Sequence, residues 1–116
     1  MRHRKVGRKL DRTAAPRLAL IKGLANSLVL YESIKTTVAK AKTVRSYVEK
    51  LVTIAKKPTL ANRRLITSRL TTAGAVRKLL EVYGPRYNER PGGYTRIVKL
   101  ARRQGDRARM AQIAFI

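Results

Sequence analysis

The sequence has no cysteine and no tryptophan, one histidine, one phenylalanine and only six acidic residues. Each shortage removes a class of chemistry. Without cysteine there is no disulfide framework, no thiol nucleophile and no thiolate metal site. His3 stands alone in a basic N-terminal run. That excludes a zinc site of His and Cys, and a Ser/His/Asp triad would lack the rigid support its histidine needs. The acids Asp11, Glu32, Glu49, Glu81, Glu89 and Asp106 are scattered, and no pair is spaced like a two-carboxylate or two-metal centre. Gly92-Gly93 is followed neither by Gly-Lys-Ser/Thr nor by a helix, so it reads as a turn and not as a phosphate-binding loop. No enzyme activity, cofactor or metal is expected. Long apolar runs are missing too. Leu18–Tyr31 after a basic start mimics a signal peptide, but Lys22 and Asn26 interrupt it and no clear cleavage site follows. It is too short and broken to span a membrane, and no membrane association is expected. A mitochondrial presequence shares the Arg-rich, acid-poor start and stands as the second reading of this segment.

What is abundant is positive charge. The 116 residues carry 28 Lys plus Arg, for a formal net charge of +22. A body of this size so charged repels itself and calls for a polyanionic neighbour, nucleic acid before an acidic membrane surface. The length allows one domain, and 44% hydrophobic residues are enough for a core. No linker, repeat or low-complexity tract divides it.

Residues 1–13 (MRHRKVGRKLDRT) show neither helical nor strand period and read as a basic arm that orders on a phosphate backbone, with 14–116 as one globular domain. Thr13 is a candidate N-cap, with Pro16 early enough in the helix to be tolerated. Leu18, Ile21, Ala25 and Leu28 keep helical spacing, and Leu20, Leu24 and Val29 widen the stripe, which predicts a helix covered on more than one side. Ser33–Thr37 is β-branched and short, a strand. Thr37 caps a second helix whose apolar face is Ala41, Val44, Val48, Leu51, Val52 and Ala55. Glu49 is placed for i,i+4 pairing with Arg45. Thr59 caps a third helix from Leu60 to about Leu70. A fourth carries Val76, Leu79, Leu80 and Tyr83, and Gly84-Pro85 reads as its stop, with a left-handed glycine cap. Pro91-Gly92 fits the centre of a type II turn. Tyr94–Arg102 and Met110–Ile116 read as strands paired in a hairpin, Gly105-Asp106 lying in a turn and Ala111, Ile113 and Phe115 sharing a face. The expected class is α+β: a two-layer domain of order α-β-α-α-α-β-β, a small sheet packed on helices, and a basic extended arm.

Basic residues fall on every element, which predicts a protein that recognises a folded RNA by shape and backbone. No helix-turn-helix with a polar reading face, basic-region zipper or RNP-type aromatic strand is present, and base stacking would fall to the five tyrosines. Two other classes remain open. One is a DNA-compacting architectural protein, which would use the same charge but lacks an apolar minor-groove wedge on its arm. The other is a small nuclease or RNA-processing enzyme, which requires clustered acids and a metal.

The opening MRHRKVGRKLDR, together with IKTTVAKAKTVRSYVEKLVTIAK (34–56), ANRR (61–64), GPRY (84–87), ERPGGYTRIVKL (89–100) and the terminal RRQGDRARMAQIAFI, resembles the bacterial-type large-subunit ribosomal protein L-seventeen family. The resemblance is collinear over almost the whole chain. It implies an α/β domain on the large ribosomal subunit, bound to large-subunit ribosomal RNA toward the solvent side near the peptide exit. It also implies neighbouring large-subunit ribosomal proteins as partners, no enzymatic activity, and a location in ribosomes of the cytoplasm or of an organelle. No homo-oligomer is expected. By match to the family's basic motifs it carries RNA contact onto Arg2, His3, Arg4, Lys5, Arg8, Lys9 and Arg12 in the arm, and onto Lys35, Lys40 and Lys42 in the IKTT–AKAK block. Arg63 and Arg64 follow in ANRR, and Arg90, Tyr94, Arg96, Arg102 and Arg103 around the last hairpin. It also implies that the matching N terminus belongs to the mature domain. The chain departs from the family pattern at Asp11, usually Asn, at Arg107-Ala108-Arg109, usually Asn-Ala-Pro, and near Ala114, usually marked by a Glu. The last two raise its positive charge.

Overall fold

The computed structural model describes Leu10 and residues 13–116. In chain order the elements are α1 (Ala14–Tyr31), β1 (Ser33–Thr37), α2 (Val38–Ala55), α3 (Leu60–Arg69), α4 (Ala73–Lys78), β2 (Thr95–Lys99) and β3 (Met110–Phe115). A π-helical turn (Leu79–Tyr83) and a last helical turn (Gly84–Arg86) extend α4. This is the α+β order read from the sequence. The sheet is antiparallel throughout, in the order β1-β3-β2, so the last strand of the chain is the central one. Ile34 stands opposite Ile113, which stands opposite Ile97.

The core is built around α2. Its residues Ala41, Val44, Val48, Leu51, Val52 and Ala55 are all buried, as the 3-4 spacing requires. They pack with Ala25, Leu28 and Val29 of α1, Ile66 of α3, Leu79 and Tyr83 after α4, and Ala111 and Ile113 of β3. Thr37 and Thr59 cap as expected: the Thr37 hydroxyl accepts from the Lys40 N–H (3.4 Å) and the Thr59 hydroxyl from the Asn62 N–H (3.2 Å). The turn at Gly105 has the positive φ (99°) that favours glycine.

Four local expectations are corrected. The broad stripe of α1 is covered on more than one side only in its C-terminal half, where α2 and α4 both meet it. Leu18 is 47% exposed, whereas Leu20 and Ile21 are half-buried and full burial begins at Ala25. Gly84-Pro85 does not stop the helix. Gly84 has right-handed φ (−54°) and its N–H reaches back five residues to the Leu79 carbonyl. This widened turn takes up the proline that an α-helix cannot hold. Glycine is needed there for a different reason, since a Cβ would stand 2.7 Å from the Ala55 carbonyl oxygen. Pro91-Gly92 is not a type II turn: Gly92 has φ of 147°, and the left-handed region is entered at Gly93 (63°). Finally, Glu49 does not pair with Arg45; its carboxylate is taken up by the start of β2, as described below.

Candidate nucleic-acid interface

Three segments meet at one edge of the sheet. The β2–β3 pairing carries on past the strands through Leu100 N–H to the Met110 carbonyl (2.9 Å) and Arg103 N–H to the Ala108 carbonyl (3.0 Å). The Val38 N–H, in the first turn of α2, donates to the Arg109 carbonyl (2.9 Å) and docks the hairpin against the helix start. Between them lies a groove of about 310 Å³ with Val38, Leu100 and Met110 along it and Lys42, Lys99, Arg102 and Arg109 as its charged lining. Among the described residues no acid lines it, and none of the four cations forms an ion pair. The positive end of the α2 dipole adds to the same field. Four exposed cations at a helix start suit a polyanion such as a run of phosphates.

Lys42 and Arg102 were expected from sequence; Lys99 and Arg109 were missed. They sit on opposite limbs of the hairpin and come together only through its register. The available signal was the departure at Arg107-Ala108-Arg109, which marks this tip as unusually basic.

The remaining expected residues are dispersed. Lys35 and Arg96 lie on the outer face of the sheet, Lys35 in a row with Gln112 and Val98, Arg96 in a row with Ala114 and Ser33. Lys40 is half-buried in the first turn of α2, and Arg63 and Arg64 are exposed on α3. The Arg90 guanidinium donates to the Gly93 carbonyl (3.3 Å). Arg103 is held by Asp106 at 2.6 and 3.1 Å. That pair, with the Ala108 N–H, draws the Asp106 carboxyl down to about 2. Arg2, His3, Arg4, Lys5, Arg8, Lys9 and Arg12 lie outside the described residues.

Tyr94 requires a correction. Its ring is 1% exposed and packs at 5.2 Å from that of Tyr87, with the Lys56 ammonium 4.8 Å over it. A ring so enclosed presents no face to a base. Its role is positional: the hydroxyl meets Thr53 and the Arg90 carbonyl, and its backbone anchors β2. The anchor is Glu49, whose Oε2 accepts from Tyr94 N–H (2.8 Å), Thr95 N–H (3.2 Å) and the Thr95 hydroxyl (3.2 Å). Tyr83 and Tyr87 are also buried, and the Tyr47 hydroxyl is tied to the Arg69 carbonyl (2.6 Å). Tyr31 alone among the five is largely exposed, at 73%.

The model of the family described as Ribosomal protein L17 matches residues 20–116. The chain belongs to this family. The match begins inside α1 and takes in every residue of the basic groove. A member of the Ribosomal protein L17 family is a component of the large ribosomal subunit, located in ribosomes and structural in kind. No helix among the described residues is long and apolar enough to cross a membrane.

Proposed function

We propose that the chain binds folded large-subunit ribosomal RNA through its basic side chains and stabilises it by neutralising strands that would otherwise repel. The observation that carries this reading is the groove at the start of α2, where Lys42, Lys99, Arg102 and Arg109 converge without an acid. Arginine stays charged at any working pH and forks onto phosphate; lysine adds a mobile point charge. Each phosphate neutralised releases condensed counterion, and that release drives association. The exposed Lys35, Arg63, Arg64, Arg90 and Arg96, with Lys40 and Arg103, extend contact to other faces, and the arm residues Arg2 to Arg12 thread further between strands. A protein charged on several sides suits a place among RNA strands and neighbouring large-subunit proteins better than a one-sided grip on a duplex. Tyr94 serves this reading as a support of the hairpin.

Filter binding of the purified chain to protein-free large-subunit RNA, with duplex DNA of equal length as competitor, tests this. RNA should be retained against excess DNA, and chemical probing should show RNA segments protected on binding. Equal competition by DNA refutes the proposal in favour of a DNA-compacting protein.

A further inference from the structure

A second groove, remote in sequence from the first, lies between α3 and α4. Its floor is apolar: Leu70 and Leu80 are at least nine-tenths buried and Val76 is half-buried. One arginine stands on each helix beside it, Arg63 on α3 and Arg77 on α4, and both are exposed. At the corner between the helices is Thr71, exposed and with no side-chain hydrogen bond among the described residues, and Glu81 lies along the α4 side. Among the described residues Glu81 forms no ion pair, although this chain has few acids and many cations. The volume is about 290 Å³, at the lower limit of roughly 300 Å³ for small-ligand sites.

We propose that this groove seats one unpaired nucleotide extruded from the bound RNA. The inference rests on the RNA-binding reading and adds a base-recognising contact to it. Each part of a nucleotide finds its complement here. The base lies on the apolar floor, where it replaces the stacking lost on extrusion. The phosphates on either side meet Arg63 and Arg77, which can fork onto their oxygens. Glu81 and Thr71 reach the base edge: the carboxylate accepts from an amino group and so disfavours a base without one. The two arginines argue for an anionic occupant over an apolar side chain of a protein neighbour.

The absence of native cysteine supplies the test. Thr71→Cys, at an exposed corner, takes a short photoreactive azide and is bound to large-subunit RNA as the full chain. Primer extension after irradiation should show one dominant crosslink, at a nucleotide unpaired in the RNA secondary structure. Crosslinks spread over many nucleotides, or a dominant crosslink to a protein when the labelled chain is in assembled subunits, overturn the inference. Ala73→Phe gives an independent reading. It fills the groove from an exposed position and leaves every cation in place. RNA affinity should fall about ten-fold, the scale of one lost stacking contact, with the salt dependence unchanged and that nucleotide newly reactive to base-specific probes. Wild-type affinity and reactivity in Ala73→Phe overturn the inference alone. Failure of the wild-type chain to bind RNA overturns the RNA-binding reading as well.

Discussion

The basic groove makes a quantitative claim about salt. Replace Lys42, Lys99, Arg102 and Arg109 together by Gln, which keeps much of each side-chain stem and removes the charge. All four are exposed, so the fold should stand. Only four of the net +22 charges are lost, and affinity at a single salt concentration would discriminate poorly. The slope of log K against log salt discriminates well. If each cation neutralises one phosphate, the slope should become shallower by about 3.6 for a duplex-like site, or about 2.8 for a single strand, at roughly 0.9 or 0.7 per contact. Between 50 and 200 mM salt, a four-fold change, the wild-type chain should lose about 50- to 150-fold more affinity than the variant. Fluorescence anisotropy with labelled large-subunit RNA at five potassium chloride concentrations measures both slopes. A slope change below about one contact refutes the assignment of phosphates to this groove, however much the variant weakens binding overall.

Three further outcomes follow from particular contacts. Glu49→Ala leaves the Tyr94 and Thr95 amides without an acceptor and should cost about 2–4 kcal/mol in urea unfolding, whereas Glu49→Gln, which keeps one acceptor oxygen, should cost about 1 kcal/mol. Gly84→Ala drives a Cβ against the Ala55 carbonyl and should lower the urea midpoint by the equivalent of about 1–3 kcal/mol, although alanine is the better helix former. The Asp106 carboxyl should titrate near 2 by NMR and return toward its ordinary range in Arg103→Ala. Because its folded value lies below its unfolded one, whatever stability the pair adds is complete above about pH 4 and is lost as pH falls toward 2. A midpoint near 4 in the wild-type chain would show that the pair does not form.

Much of the fold was legible because its signals are local. The apolar face of α2 reads directly from spacing, and Thr37 and Thr59 announce the starts of their helices by side chains that reach only three residues ahead. Where the reading failed, a distant partner decided the outcome. Gly84 looked like a cap because glycine followed by proline is a common helix stop; the structure needs the glycine because α2 passes close by. Glu49 had a cation one turn away, yet three donors at the start of β2 hold it, and those donors arrive from 45 and 46 residues on. Tyr94 carried the aromatic signal of a nucleic-acid contact and was claimed by the core. The candidate site was half-legible for the same reason. Charge could be counted along the chain, but its convergence depends on hairpin register and on the docking of Arg109 against Val38.

With 28 Lys plus Arg against six acids, most cations have no acid to pair with, and the few acids serve other ends. Glu49 fastens β2, Asp106 holds the hairpin tip through Arg103, and Glu32 binds Arg86 at 2.9 Å. Glu32 occupies the left-handed position that ends α1 (φ 63°), a conformation disfavoured for a residue with a side chain, and its pairing with Arg86 ties that turn to the end of the α4 extension. Each of these carboxylates works at a bend or a strand start where backbone geometry needs an anchor. Only two ion pairs form among the described residues, both on the surface, where such pairs contribute little to stability. The folded chain therefore keeps most of its self-repulsion. A bound polyanion would relieve that repulsion, so on the proposed RNA-binding reading, binding and stabilising the protein are two sides of one free energy. This chain places Glu32, Glu49 and Asp106 at bends and a strand start and, on the proposed reading, leaves its cations to RNA.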